Sequence, residues 1–107
     1  MRFELTASFK ADYRRLSQRE QELFKEAVRL FSDSCDKFVD TGDLGAWRSS
    51  LRVKAIVGGH GIFEMTWNFS GPDGRATWEW CTVEVEGKKH PAVRWRRVGG
   101  HSIFGDP

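Results

Sequence analysis

Cysteine is scarce in this chain, with two in 107 residues, Cys35 and Cys81, far apart and in no Cys-x-x-Cys spacing. That spacing suggests neither zinc nor redox chemistry, and the expectation is two buried free thiols in a reducing compartment. Histidine is sparse as well: His60, His90 and His101 lack ligand-like spacing and have no cysteine cluster beside them, so no metal site and no cofactor is expected. Composition suggests no membrane span. Met1 leads directly into Arg-Phe-Glu-Leu-Thr, with no basic region followed by an apolar run, which argues against secretion and for a cytoplasmic protein. Repeats and low-complexity segments are absent. Gly58-Gly59-His60-Gly61 lacks the Gly-Lys-Ser/Thr ending of a phosphate-binding loop and reads as a flexible turn.

Aromatic residues are what the chain has in plenty. Five Trp and eight Phe are many for this length, and 39% apolar against 30% charged residues is ordinary for a globular protein. A length of 107 residues supports one domain over 1–107 with one modest core. The net charge of +2 divides unevenly: residues 1–47 carry eight Lys/Arg against nine Asp/Glu, and residues 48–107 carry nine against six. The positive surplus therefore sits in the second half, where a polyanion partner would look for it.

Arg2–Leu5 alternates as a strand, with Phe3 and Leu5 on one face. Thr6 or Ser8 can cap a first helix in which Phe9, Tyr13 and Leu16 recur at helical spacing, with Lys10, Asp12, Arg14 and Arg15 on the wet side. Ser17-Gln18-Arg19-Glu20 matches a capping box and starts a second helix, whose Leu23, Phe24, Ala27, Leu30, Phe31, Cys35 and Phe38 form one stripe. Thr41–Gly45 ends the helical half, with Trp47 as an anchor against the core.

From Leu51 the period changes to two. Leu51, Val53, Ala55 and Val57 are expected to face the helices, followed by a second inward row of Phe63, Met65, Trp67 and Phe69. Ser70-Gly71-Pro72-Asp73-Gly74 has the composition of a turn, after which Ala76, Trp78 and Trp80 alternate with Arg75, Thr77 and Glu79. A change of parity at Val83 and Val85 suggests a bulge or a strand leaving the sheet. Glu86–Pro91 reads as a surface loop, Val93–Val98 as the last strand and Gly99–Phe104 as a tail.

The expected fold is therefore α+β, in the order β-α-α-β-β-β-β, with both helices on one face of a largely antiparallel twisted sheet. The opposite, uncovered face would display Arg52, Lys54, Glu64, Thr66, Arg75, Thr77, Glu79, Arg94 and Arg96. Guanidinium groups there suit a phosphodiester, since arginine donates paired hydrogen bonds to phosphate oxygens and stabilises charge growing in a transition state. Trp67, Trp78 and Trp80 fall on the helix-facing rows and read as core, whereas Trp95 is open between core and base stacking. His101, after Gly99-Gly100, can bend over the sheet face and move protons near neutral pH.

The order of elements, with LRVKAIVGGHGIFEMTW, DGRATWEW and VRWRRVGGHSIF, resembles the RelE/ParE superfamily of toxin–antitoxin toxins, and most of all its RelE-like and YafQ-like members. Leu51–Lys54, Phe63-Glu64-Met65 and Gly74-Arg75-Ala76-Thr77-Trp78 stand where that family has three of its strand motifs. The resemblance implies a ribosome-dependent mRNA endonuclease that inhibits translation, neutralised by a cognate antitoxin. In that chemistry the 2′-hydroxyl attacks the adjacent phosphate and the 5′-oxygen leaves. Arg75 matches the transition-state arginine and His101 the histidine of a Gly-x-His tail, a general acid. Arg52 and Lys54 would hold phosphates, with Arg94, Arg96 and Arg97 as further RNA contacts. Glu64 is a candidate base or a group that positions Arg75, and His60 is a second candidate base. The tyrosine that some RelE-like toxins use near the C-terminus is missing, since Tyr13 is the only one. ParE-like members share the fold and poison DNA gyrase instead, so a gyrase inhibitor or a non-catalytic binding module is the alternative.

Overall fold

In the computed structural model, which describes residues 1–43, 45–68 and 73–107, the chain is an α+β fold in the expected order. A strand, β1 (Arg2–Leu5), leads into two helices, α1 (Ala7–Arg15) and α2 (Gln18–Thr41). Four strands follow: β2 (Lys54–Ala55), β3 (Ile62–Asn68), β4 (Gly74–Val85) and β5 (Lys88–Gly99). They form one mixed sheet in the order β1-β5-β4-β3-β2. Only the β1–β5 pair is parallel.

Local chemistry sets the helix boundaries. Thr6, not Ser8, is the first cap; its hydroxyl accepts from the Phe9 N–H at 3.0 Å and donates to the Arg96 carbonyl at 2.7 Å, joining the start of α1 to β5. Ser17 and Glu20 make the reciprocal capping box, at 2.9 and 3.1 Å. At its other end α2 stops at Gly42, whose left-handed backbone (φ 69°) brings its N–H to the Phe38 carbonyl.

The apolar stripe of α2 packs where its period places it. Phe24, Ala27, Phe31 and Cys35 are buried, and Leu23, Leu30 and Phe38 pack at the margin. Beneath them the helix-facing row of the sheet, Met65, Trp67, Ala76, Trp78, Val93, Trp95 and Val98, is buried throughout. The rings interlock: Phe31 meets Trp78 edge-on at 4.9 Å and Trp95 at 5.0 Å, while Phe63 stacks on Trp78 at 4.7 Å. Edge-to-face contacts of this kind add to the area term because ring edges are positive and faces negative. Trp95, open in the sequence, is a core residue, and Trp47 anchors the loop against Phe38 at 4.8 Å.

Five expectations are corrected by the structure. Leu51 and Val53 do not begin a long strand: Leu51 ends a 3-10 turn over Ser49–Leu51, Arg52 takes a left-handed backbone (φ 47°), and β2 has two residues. Ala55 pairs with Phe63 and so lies on the helix side, but at the edge of the sheet, where it is exposed; Val57 lies beyond β2, is wholly exposed and does not face the helices. The Glu86–Pro91 loop shrinks to Glu86 and Gly87, both at positive φ (52° and 77°), the backbone a two-residue hairpin needs. No break in pairing follows Cys81; the β4–β5 ladder is continuous from Trp78 to Val85, and the irregularity lies further back, at Thr77/Trp78. Asp12 is buried rather than on the wet side of α1. The expectations placed on Leu44, Phe69 and Ser70–Pro72 lie outside the described residues, although β3 and β4 on either side of 69–73 do pair antiparallel.

Both cysteines are free thiols. Cys35 is fully buried, which pushes its thiol up to about 12, whereas Cys81 is only half-buried, contrary to expectation. Among the described residues no helix is long and apolar enough to cross a membrane.

Candidate functional site

Alternation along the strands decides which side chains reach the face away from the helices. Trp78, Ala76 and Met65 point into the core, so Arg75, Thr77 and Glu79 on β4, and Glu64 and Thr66 on β3, point the other way. On β5 an extra residue is needed. Thr77 pairs with Arg97 but Trp78 pairs with Trp95, leaving Arg96 as a bulge. Without it, Arg97 would enter the core and Val98 would leave it. With it, Arg94, Arg96 and Arg97 all come to the outer face while Val98 stays buried.

This face is less uncovered than the sequence suggests. Thr66 and Thr77 are buried, at 1% and 0% exposure. The segment after β5 folds back as a 3-10 turn, His101–Gly105, against β4 and β5. Ile103 is buried under it, and its Cγ2 lies 3.2 Å from where a Gly99 side chain would begin. Gly99 pairs with Arg75, which puts the segment above the Arg75 end of the face. Arg96 Nε donates to the Pro107 carbonyl at 3.3 Å and Arg97 Nη1 to the Asp106 carbonyl at 2.9 Å, tying the segment down.

The arginines also have acidic partners. Glu79 accepts from Arg94 at 2.9 Å through one oxygen and from Arg96 at 3.2 Å through the other. Arg94 further reaches Glu4 of β1 at 3.0 and 3.1 Å. The hydrogen bonds to Glu79 and then Glu4 raise Arg94 above its ordinary range. Arg97 grips Asp12 with two nitrogens, at 2.6 and 3.1 Å, and that pairing raises Arg97 likewise. Lys54 sits opposite Glu64 in the β2–β3 ladder, 3.6 Å apart, with Lys54 mostly in solvent and Glu64 mostly out of it.

Arg75 is different. Its Nη2 meets Asp73 at 3.2 Å, but its Nη1 is buried with no hydrogen-bond partner among the described residues, and so is the hydroxyl of its face neighbour Thr77. Two such groups two residues apart on one strand face are unusual, because each costs about 1–3 kcal/mol in a folded interior. Burial also pushes the Cys81 thiol up, with Glu4 3.9 Å from its sulfur.

No protein-family model, curated protein or solved structure matches this chain.

The nine residues singled out from the sequence divide in space. Arg75, Glu64, Arg94, Arg96 and Arg97 share the outer face, and Lys54 joins it at the β2 edge. Arg52 lies just before β2 in its left-handed turn. His60 is exposed at φ 52° in the turn between β2 and β3. His101 is carried back with its segment but stays exposed, its ring edge-on to Phe104 at 5.0 Å. Neither histidine has a hydrogen bond or ion pair to Arg75 or Glu64 among the described residues, and no cluster of metal-binding side chains occurs among them. Sequence reasoning missed Glu4, Asp12, Asp73 and Glu79 as partners of the arginines. Two of them carried a signal: Asp12, three residues after Phe9, borders the apolar stripe of α1, and Glu79 shares the face of Arg94 and Arg96 by parity.

Proposed function

We propose that this chain is a toxin of the RelE/ParE kind that cleaves mRNA on the ribosome, with the outer sheet face turned to the RNA and a cognate antitoxin as its neutralising partner. The order of the elements and the strand motifs around Lys54, Glu64 and Arg75 support the reading. The observation that carries it is Arg75 Nη1, a buried cationic donor without an acceptor among the described residues, two residues along the same strand face from the equally unpartnered Thr77 hydroxyl. A phosphate oxygen is the acceptor such a pair lacks.

In this reading a base takes the proton of the 2′-hydroxyl as its oxygen bonds to phosphorus. Glu64 fills that role, or holds Arg75 in place while His60 fills it. Arg75 faces the charge that grows on the non-bridging oxygens, worth about 10²–10³ in rate for one such donor. The bond to the 5′-oxygen breaks as His101 supplies its proton, leaving a 2′,3′-cyclic phosphate and a 5′-hydroxyl. Arg52, Lys54, Arg94, Arg96 and Arg97 hold flanking phosphates. Primer extension on mRNA from translating ribosomes tests this: discrete cleavage is expected, reduced at least a hundredfold by Arg75→Ala. Intact mRNA, or cleavage indifferent to that change, overturns it.

A second reading, a ParE-like gyrase inhibitor or a non-catalytic binding module, draws on the pairing of Arg94 and Arg96 with Glu79 and on the exposed place of His101. DNA breaks with intact mRNA on induction would favour it.

A further inference from the structure

β1 is an edge strand that leaves apolar side chains in solvent. Phe3 is 37% and Leu5 46% exposed, two of the four large hydrophobic residues that stand out among the described residues. They form one lip of an open groove of about 400 Å³ whose other walls are Phe9, Tyr13, Phe24 and Val28. Such an edge, with free backbone groups beside a greasy groove, is a template for another strand.

The backbone shows which groups are available. The Thr6 N–H bonds to the Trp95 carbonyl at 3.1 Å, so by alternation Glu4 and Arg2 direct their backbone groups to β5 while Phe3 and Leu5 direct theirs outward. On the outer face Arg2 makes no ion pair with any described residue, and the contacts of Glu4 all fall on Oε2. The strand thus offers a free cation and a carboxylate two residues apart.

That pattern is complementary to itself. In an antiparallel pair, directly opposed residues lie on the same face, so a two-fold axis can fall on Arg2, on Phe3 or on Glu4 but not between them. An axis on Arg2 opposes two arginines, and one on Glu4 opposes two glutamates. An axis on Phe3 places Arg2 of each copy opposite Glu4 of the other and Phe3 against Phe3, with the outward N–H and C=O of Phe3 exchanged between copies. We propose that β1 is the seam of a homodimer, in which two copies of this chain pair antiparallel about Phe3, join their sheets into one of twice the width, and cover each other's apolar groove. The occupant is a second copy because the charges match in a single register. The proposal does not depend on RNA cleavage.

Sedimentation equilibrium of the full chain, over a concentration series up to the highest it tolerates, is expected to give twice the 12.3 kDa chain mass. Arg2→Glu, at an exposed residue without an ion-pair partner among the described residues, opposes like charges twice by symmetry and is expected to weaken association about tenfold. Phe3→Cys sets two thiols opposite each other with Cα atoms about 5.5 Å apart, within disulfide reach, so oxidation is expected to give a covalent dimer. Leu5→Cys, displaced from its own copy by four residues or about 13 Å, is expected to stay uncrosslinked. The unaltered chain, with Cys35 buried and Cys81 half-buried, is the background control. A single-chain mass at every concentration overturns the proposal. So does a dimer that ignores Arg2→Glu and fails to crosslink through Phe3→Cys, since its seam then lies elsewhere.

Discussion

Arg97 on β5 holds Asp12 on α1 through two parallel hydrogen bonds, and the same carboxylate accepts the Val98 N–H at 3.2 Å. One buried aspartate therefore fixes α1 against the strand just where the bulge reorients it. Asp12→Ala is expected to cost about 2–3 kcal/mol, because it leaves a buried N–H and a half-buried guanidinium without their acceptor. Arg97→Lys is expected to recover less than half of the loss in Arg97→Ala, since an ammonium cannot reproduce the paired geometry. Urea denaturation of the three variants measures both, and equal stability of Asp12→Ala and the parent chain would contradict the assignment.

Gly74 is constrained by what faces it. A side chain there would begin 2.5 Å from the ring of Trp67, whose indole N–H is held by the Arg75 carbonyl at 2.8 Å. The ring cannot retreat without breaking that bond, so Gly74→Ala is expected to destabilise by about 1–3 kcal/mol through overpacking. A thermal melt of this variant should show the loss, and Trp67→Phe in the same background should relieve part of it.

Cys35 makes stability depend on alkaline pH. Its thiol moves from an ordinary 9.0 up to about 12 through burial, so the folded chain keeps a proton that the unfolded chain gives up. The contribution is complete below about pH 9 and is lost as pH rises from there towards about 12, at up to about 1.4 kcal/mol per unit. Cys35→Ser should flatten the stability curve over this interval by that slope. A curve of unchanged steepness would mean that the thiol is not the group responsible.

Segment 101–107 occupies arginines that an RNA phosphate would need. Ile103→Asp cannot keep residue 103 buried and is expected to lift the segment, releasing Arg96 and Arg97 from the Pro107 and Asp106 carbonyls. Binding of single-stranded RNA should then tighten, and the slope of its logarithmic salt dependence should steepen by about 1.4, for two added phosphate contacts. A salt titration by fluorescence anisotropy reads both. Identical curves for variant and parent would show that the segment masks nothing.

Much of the scaffold was legible because its signals are local. A capping box needs four residues and Ser17–Glu20 supplies them; a stripe needs helical spacing and α2 has it; alternation puts Trp67 and Trp78 inside and Trp80 half-buried against the core. The candidate face was legible to the same depth: parity alone assigned Arg75, Glu64, Arg94 and Arg96 to one side. Reading by parity failed at β2, where a left-handed Arg52 ended the alternation, and it could not see that the hairpin turn shortens to Glu86-Gly87.

What the sequence by itself determined is the type and order of the elements and the side of the sheet taken by most residues of β3 and β4, since these follow from periods of two and 3.6 and from caps a few residues long. Tertiary structure alone decided the pairing of charges. Asp12 and Arg97 are separated by 85 residues, and Glu4 and Arg94 by 90. No local rule joins such pairs; they meet because β1 lies parallel to β5 and a single bulge at Arg96 brings Arg97 to the face of Arg94 and Arg96.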